Sequence, residues 1–225
     1  FLRDAYGWQV PTEADACEAR LAARADLLVY SSDQIAARAP VDLDRRDVHT
    51  ATVPFGVNFD SLPTDCPQKK GLNQLNLLFV GVDWQRKGGD IAVDAVTRLR
   101  ASGHNVTLTI VGRCPEQYRK MPGIHYAGFL NKNRPRDAAR LGQLYTDAHL
   151  LVLPSRADCS PMVVAEAMAH GTPVLATDTG GIASLVGDGG AGRLLPEFAT
   201  PQTWAEAIRD MTADAEAYAF LSDAG

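Results

Sequence analysis

The chain has 225 residues, 46% hydrophobic, 22% charged and 7% aromatic, with a formal net charge of −5. That length holds one large α/β domain or one domain with an appendage. The mild acidity excludes a nucleic-acid coat or a polybasic membrane anchor, so an anionic ligand must meet a local basic cluster.

No apolar run approaches the roughly 20 residues of a spanning helix. The cysteines (Cys17, Cys66, Cys114 and Cys159) lie far apart, without metal-ligand spacing, and read as free thiols of a reducing cytosol. No metal and no nucleic acid are expected as partners. The chain starts at Phe1 and stops at Gly225 within a helical pattern, so it reads as part of a longer protein.

In chain order, Ala14–Ala25 predicts a helix and Asp26–Tyr30 a short buried strand, with Ser31-Ser32 capping the next helix. A second strand-like run covers Arg46–Val53 and closes at Pro54-Phe55-Gly56. Residues 1–60 hold too little sheet for a parallel domain and read as the tail of a preceding domain. Residues 61–74, with Pro63, Pro67, Lys69-Lys70 and Gly71, read as a linker. From there to residue 200 strand and helix alternate. Strands are predicted at Leu75–Val80, Val106–Val111, Ile124–Ala127, Leu150–Leu153, Pro173–Ala176 and Gly192–Leu195. Helices are predicted at Lys87–Ala101, Pro135–Ala148 and Pro161–His170, and residues 201–225 form a helical segment over Pro201–Leu221. Continuous apolar strands with short connections predict a doubly wound, Rossmann-like parallel sheet with helices on both faces.

Ligands of such sheets lie outside the carboxyl ends of the strands. There, Phe79-Val80-Gly81 runs through Arg86-Lys87 into Gly88-Gly89 at a helix start, where cations and unpaired N–H groups suit a phosphate. The loop lacks the dinucleotide spacing G-x-G-x-x-G, and Val111-Gly112-Arg113 carries no acid. In Pro154–Gly171, Ser160 is read as an N-cap, Pro161 as the first helical residue and Gly171 as the stop. The helix between is apolar except for Glu166 and His170. A carboxylate buried there needs hydrogen bonds or a polar ligand, while a helix-end histidine satisfies the last carbonyls. Asp158, in the loop before this helix, either faces the same cleft or only complements the helix dipole. Gly180-Gly181, after the fifth strand, admits a close ligand approach or a plain tight turn.

At these residues the chain resembles retaining glycosyltransferase family 4, of the two-domain GT-B fold. The matching pieces are Phe79-Val80-Gly81, Lys87-Gly88, Ile110-Val111-Gly112, Gly128-Phe129, Pro154-Ser155, Glu166-Ala167-Met168-Ala169, Gly171-Thr172-Pro173-Val174 and Gly180-Gly181, in family order. The resemblance implies a hexosyltransferase-like enzyme that moves a sugar from a UDP-, GDP- or ADP-linked donor with retention of configuration and without a metal. It implies Asp158, Glu166 and Lys87 as catalytic residues. Glu166 would hold the ribose, Asp158 the transferred sugar and Lys87 the diphosphate. Arg86, Arg113, Ser160, Met162, Val163, Gly180 and Gly181 would complete the donor site, with base recognition by backbone around Gly128–Arg134.

The saccharide or lipid acceptor would sit on a further N-terminal domain, so this chain alone would bind nucleotide without efficient transfer. The whole enzyme would be cytoplasmic, with any peripheral membrane contact residing mainly outside this chain. The family pattern is altered at three positions, with Asp158 for Glu, Pro161 for Gly and Val82 for Arg. The same architecture serves non-hydrolysing sugar-nucleotide epimerases, and the three substitutions suit a non-catalytic nucleotide-binding or interaction module. A dehydrogenase lacks its glycine fingerprint here.

Overall fold

The computed structural model describes residues 12–64, 71–187 and 191–224. Part of the linker pattern, with Cys66, Pro67 and Lys69-Lys70, lies outside the described residues.

The first part comprises α1 (Thr12–Ala22), β1 (Leu27–Tyr30), α2 (Asp33–Asp42) and β2 (His49–Thr52). Ser32 caps α2, its hydroxyl accepting from the Ile35 N–H at 3.3 Å. The strands pair in parallel as a two-stranded sheet. The first strand exists but is not buried, since Leu27 is 53% and Val29 55% exposed. Among the described residues its only ladder partner is β2, and no layer covers this face.

The second part carries β3 (Leu75–Gly81), α3 (Gly89–Ala101), β4 (Val106–Gly112), α4 (Glu116–Arg119), β5 (Ile124–Gly128), α5 (Pro135–Asp147) and β6 (Leu150–Leu153). It continues with α6 (Met162–Met168), β7 (Val174–Thr177), α7 (Ile182–Val186), β8 (Gly192–Leu195), α8 (Pro201–Met211) and α9 (Ala215–Asp223). Six strands form one parallel sheet in the order β5-β4-β3-β6-β7-β8.

Alternate residues of each strand serve opposite faces. Leu77, Phe79, Leu108 and Ile110 pack under α3 and α8, with Val93, Val96, Trp204 and Ile208. Leu78, Leu151, Leu153 and Ala176 pack under α5, α6 and α7, with Leu141, Val164, Ala167 and Ile182. Both faces are thus dry, which is why the strands read as continuous apolar runs.

The helical pattern Pro201–Leu221 breaks into two helices. Asp214 caps the second, accepting from the Ala217 N–H at 2.8 Å, a competing local bond that ends the first. This segment belongs to the core of the six-stranded part. Trp204 and Tyr218 are buried, and the Tyr218 hydroxyl donates to the His149 carbonyl at 2.8 Å.

Candidate functional site

In the observed strand order, β3 is flanked by β4 on one side and β6 on the other, so the chain reverses its winding between β3 and β6. The crevice of a doubly wound sheet opens at such a point, outside the carboxyl ends of the strands. A cleft of about 1150 Å³ lies there, bounded by the ends of β3, β4 and β5 and by α6. Gly88 permits this closure. Its φ is +72°, and a Cβ there would stand 1.9 Å from the Pro154 carbonyl oxygen, so no side chain fits.

The loop after β3 supplies the basic end. Lys87 is buried in the turn before α3, and its ammonium is paired with the Asp158 carboxylate. Arg86 approaches the same carboxylate at 3.5 Å and donates to the Ala157 carbonyl at 2.9 Å. Burial pushes the Lys87 ammonium below its ordinary 10.5, against the opposing pull of Asp158. The loop after β6 is clamped to the start of α3, because Arg156 forms two bonds to Asp90, at 2.9 and 2.6 Å. Asp158 therefore stands behind Lys87 and Arg86 as their counter-charge, while the two cations line the cleft wall.

Glu166 enters from α6. The helix start differs from the sequence expectation, because Pro161 is itself the cap and Met162 the first helical residue. Ser160 therefore sits one position too early to cap, and its buried hydroxyl has no hydrogen-bond partner. At the other end the stop at Gly171 forms as read, with the Thr172 N–H on the Ala167 carbonyl at 2.9 Å and the Gly171 N–H on the Met168 carbonyl at 2.8 Å. Glu166 is completely buried as a residue yet borders the cleft. Side chains satisfy it: the Tyr145 hydroxyl donates to Oε2 at 3.0 Å, and the Lys132 ammonium pairs with Oε1. Burial, then the neighbouring Glu166 charge, pushes the Tyr145 hydroxyl well above its ordinary value, keeping it a donor. His170 Nδ1 lies 2.7 Å from the Glu166 carbonyl, the expected helix-end role.

The remaining predicted residues divide. Arg113, exposed at the end of β4, and Val163, in the first turn of α6, line the cleft. Ser160, Met162, Gly180 and Gly181 do not. Gly180 has φ +57°, and a Cβ would meet the Asp158 carbonyl oxygen at 1.8 Å; one on Gly181 would meet that of Cys159 at 2.0 Å. The approach these glycines allow is thus to the backbone of the Asp158 loop, which the Gly181 N–H also holds by a 3.2 Å bond to the Asp158 carbonyl.

Two residues of the site escaped the sequence reading. Lys132 follows β5, whose end also borders the cleft, in a loop that the resemblance assigns to backbone recognition of the base. Tyr145 lies on the buried face of α5 with Leu141, where an aromatic hydroxyl needs a partner. That demand was its available signal.

The comparisons bear on the family and the fold. The family model for glycosyl transferases group 1 matches residues 74–214. A D-inositol 3-phosphate glycosyltransferase of Paenarthrobacter aurescens is 28% identical over 194 residues, which cover 82% of this chain and 47% of that protein. The phosphatidyl-myo-inositol mannosyltransferase of Mycobacterium leprae is 33% identical over 153 residues, 64% of this chain and 39% of that one. The chain thus spans about half or less of the length of these two relatives. Among solved structures, the sucrose-phosphate synthase of Thermosynechococcus elongatus superposes with a TM-score of 0.74 at 22% identity, covering 100% of this chain and 60% of that one. Anabaena HepE in complex with UDP-glucose gives a TM-score of 0.70 at 21% identity, covering 95% and 61%. With its switch-point cleft, its parallel six-stranded sheet and a family match over most of its length, the chain belongs to the group 1 glycosyltransferases of GT-B fold.

Proposed function

We propose that the cleft holds the donor of a sugar transfer, a nucleoside-diphosphate sugar linked to UDP, GDP or ADP, and that transfer proceeds with retention of configuration. The observation that carries this reading is the polarity of the cleft. Cations from two neighbouring strand ends (Arg86, Lys87 and Arg113) line one part of its wall, and the carboxylate of Glu166 borders another. A diphosphate suits the first and the hydroxyls of a ribose suit the second. The volume, about 1150 Å³, accommodates a ligand larger than an ordinary small molecule. HepE, of the same fold, is described in complexes with UDP and glucose and with UDP-glucose.

In this reading the cations stabilise charge on the departing diphosphate from fixed positions, the role that preorganised electrostatics performs in group transfer. No metal is required for it. Asp158 acts first by holding Lys87 and Arg86 in place. The acceptor, a saccharide or lipid, is supplied by a further N-terminal domain of the whole enzyme, so this chain alone binds donor and transfers poorly.

Two substitutions separate the two parts of the cleft. Lys87→Ala is expected to weaken nucleoside-diphosphate binding by about 1.5–3 kcal/mol, the range for hydrogen bonds to charged groups, while nucleoside binding is little changed. Glu166→Ala is expected to weaken nucleoside and nucleotide alike. Unchanged diphosphate affinity in Lys87→Ala, measured by calorimetry on protein with native circular dichroism, contradicts the phosphate assignment.

A further inference from the structure

Glu166 offers the cleft a carboxylate whose oxygens are both engaged before any ligand arrives. Oε2 is held from inside by Tyr145, and Oε1 is met by Lys132. The two partners differ in where they stand. Tyr145 is fully buried, whereas the Lys132 side chain keeps 24% of its surface exposed and lines the cleft beside Glu166. Its ammonium lies 5.7 Å from the centre of the Phe59 ring, which marks the other side of its seat. An ammonium has three N–H donors. One is used on Glu166, and the structure gives no other hydrogen bond for Lys132 among the described residues.

The Glu166 side chain keeps only 1% of its surface exposed, beneath the Lys132 ammonium. A ligand therefore meets Lys132 first and reaches the remaining lone pairs of Glu166 where that ammonium shifts; the pair then offers an acceptor and a donor side by side. A single hydroxyl can answer both in turn, since it donates one hydrogen bond and accepts others; a vicinal diol answers them together, one hydroxyl to each group. We propose that Lys132 is a donor-binding residue that, with Glu166, reads the cis-diol of the ribose: the hydroxyls donate to Glu166 and accept from Lys132. This rests on the donor-site reading above. It adds a direct ligand contact from the loop after β5 and a chemical selectivity. Nucleotides lacking the diol leave both a carboxylate and an ammonium without ligand partners, and are discriminated against by more than either contact alone supplies.

The test is calorimetry of the unaltered chain, Lys132→Met, Glu166→Gln and the double variant. The probes are UDP, GDP and ADP, the 2′,3′-dideoxy form of whichever binds, and inorganic pyrophosphate. Lys132→Met is expected to lose about tenfold in affinity for the ribonucleotide and little for the dideoxy form or pyrophosphate, so the ribo-to-dideoxy ratio falls. Lys132→Arg, which keeps the donors, is expected to recover part of it.

The double variant separates direct contact from mere support of Glu166. A further loss on adding Lys132→Met to Glu166→Gln supports direct contact, and no further loss overturns it. An unchanged or increased ratio in Lys132→Met also overturns the inference while leaving the donor-site reading standing. If none of the three nucleotides binds the unaltered chain, the donor-site reading itself fails, and the inference with it.

Discussion

Lys87 carries its charge into a place that disfavours it. Burial lowers the ammonium below its ordinary 10.5, and Asp158 and Arg86 pull in opposite senses on what remains. A diphosphate bound there adds negative charge and favours the protonated form, so the pKa must rise on binding. Below the lowered pKa lysine is already charged and no proton is exchanged, while between that value and the higher one of the complex, binding takes up a proton. Calorimetry in two buffers of different ionisation enthalpy is expected to show this uptake on the alkaline side, and to show none in Lys87→Ala. Identical uptake in both proteins contradicts the placement of the phosphate at Lys87. The sequence made Lys87, Arg86 and Glu166 legible, because a basic pair before a helix and an acid in an apolar helix are local contrasts. It did not make the pairing legible. Lys87 meets Asp158, and Glu166 meets Lys132 and Tyr145, across elements whose contact is fixed only by the sheet order.

At the scale of elements, the loops at the switch point are held by backbone proximity as much as by charge. The turn before α7 presses on the Asp158–Cys159 backbone through Gly180 and Gly181. Gly180→Ala combines a left-handed φ with a 1.8 Å contact to a carbonyl oxygen. It is expected to destabilise the fold by at least about 2 kcal/mol, and to loosen diphosphate binding by shifting Asp158 and hence Lys87. Urea denaturation with a parallel titration checks both, and a neutral substitution contradicts the packing described. These two glycines show what a sequence leaves open. The pair signals close approach, but whether ligand or chain approaches depends on which loop lies opposite. The cap of α6 shows the same limit. Ser160-Pro161 has cap chemistry, yet Pro161 takes the cap position and leaves the Ser160 hydroxyl buried without a partner. The exposed face of β1 shows it once more, since apolar composition reports what a strand can bury and not whether a layer covers it.

At the scale of the whole molecule, the parallel sheet and its cleft were legible because alternation of apolar strands with helices leaves few right-handed, unknotted topologies. The helices after residue 200 were legible as elements but not as core, since the docking of α8 on α3 and of Tyr218 on the His149 carbonyl depends on the finished sheet. On the proposed function, the switch point of this sheet seats a nucleoside diphosphate. Calorimetric titration of the chain with UDP, GDP and ADP, with NAD as the control, decides this. Saturable one-to-one binding of one of the three diphosphates, with NAD inert, is the predicted result. Binding of NAD in preference, or of none of the four, contradicts a nucleoside-diphosphate site in this cleft.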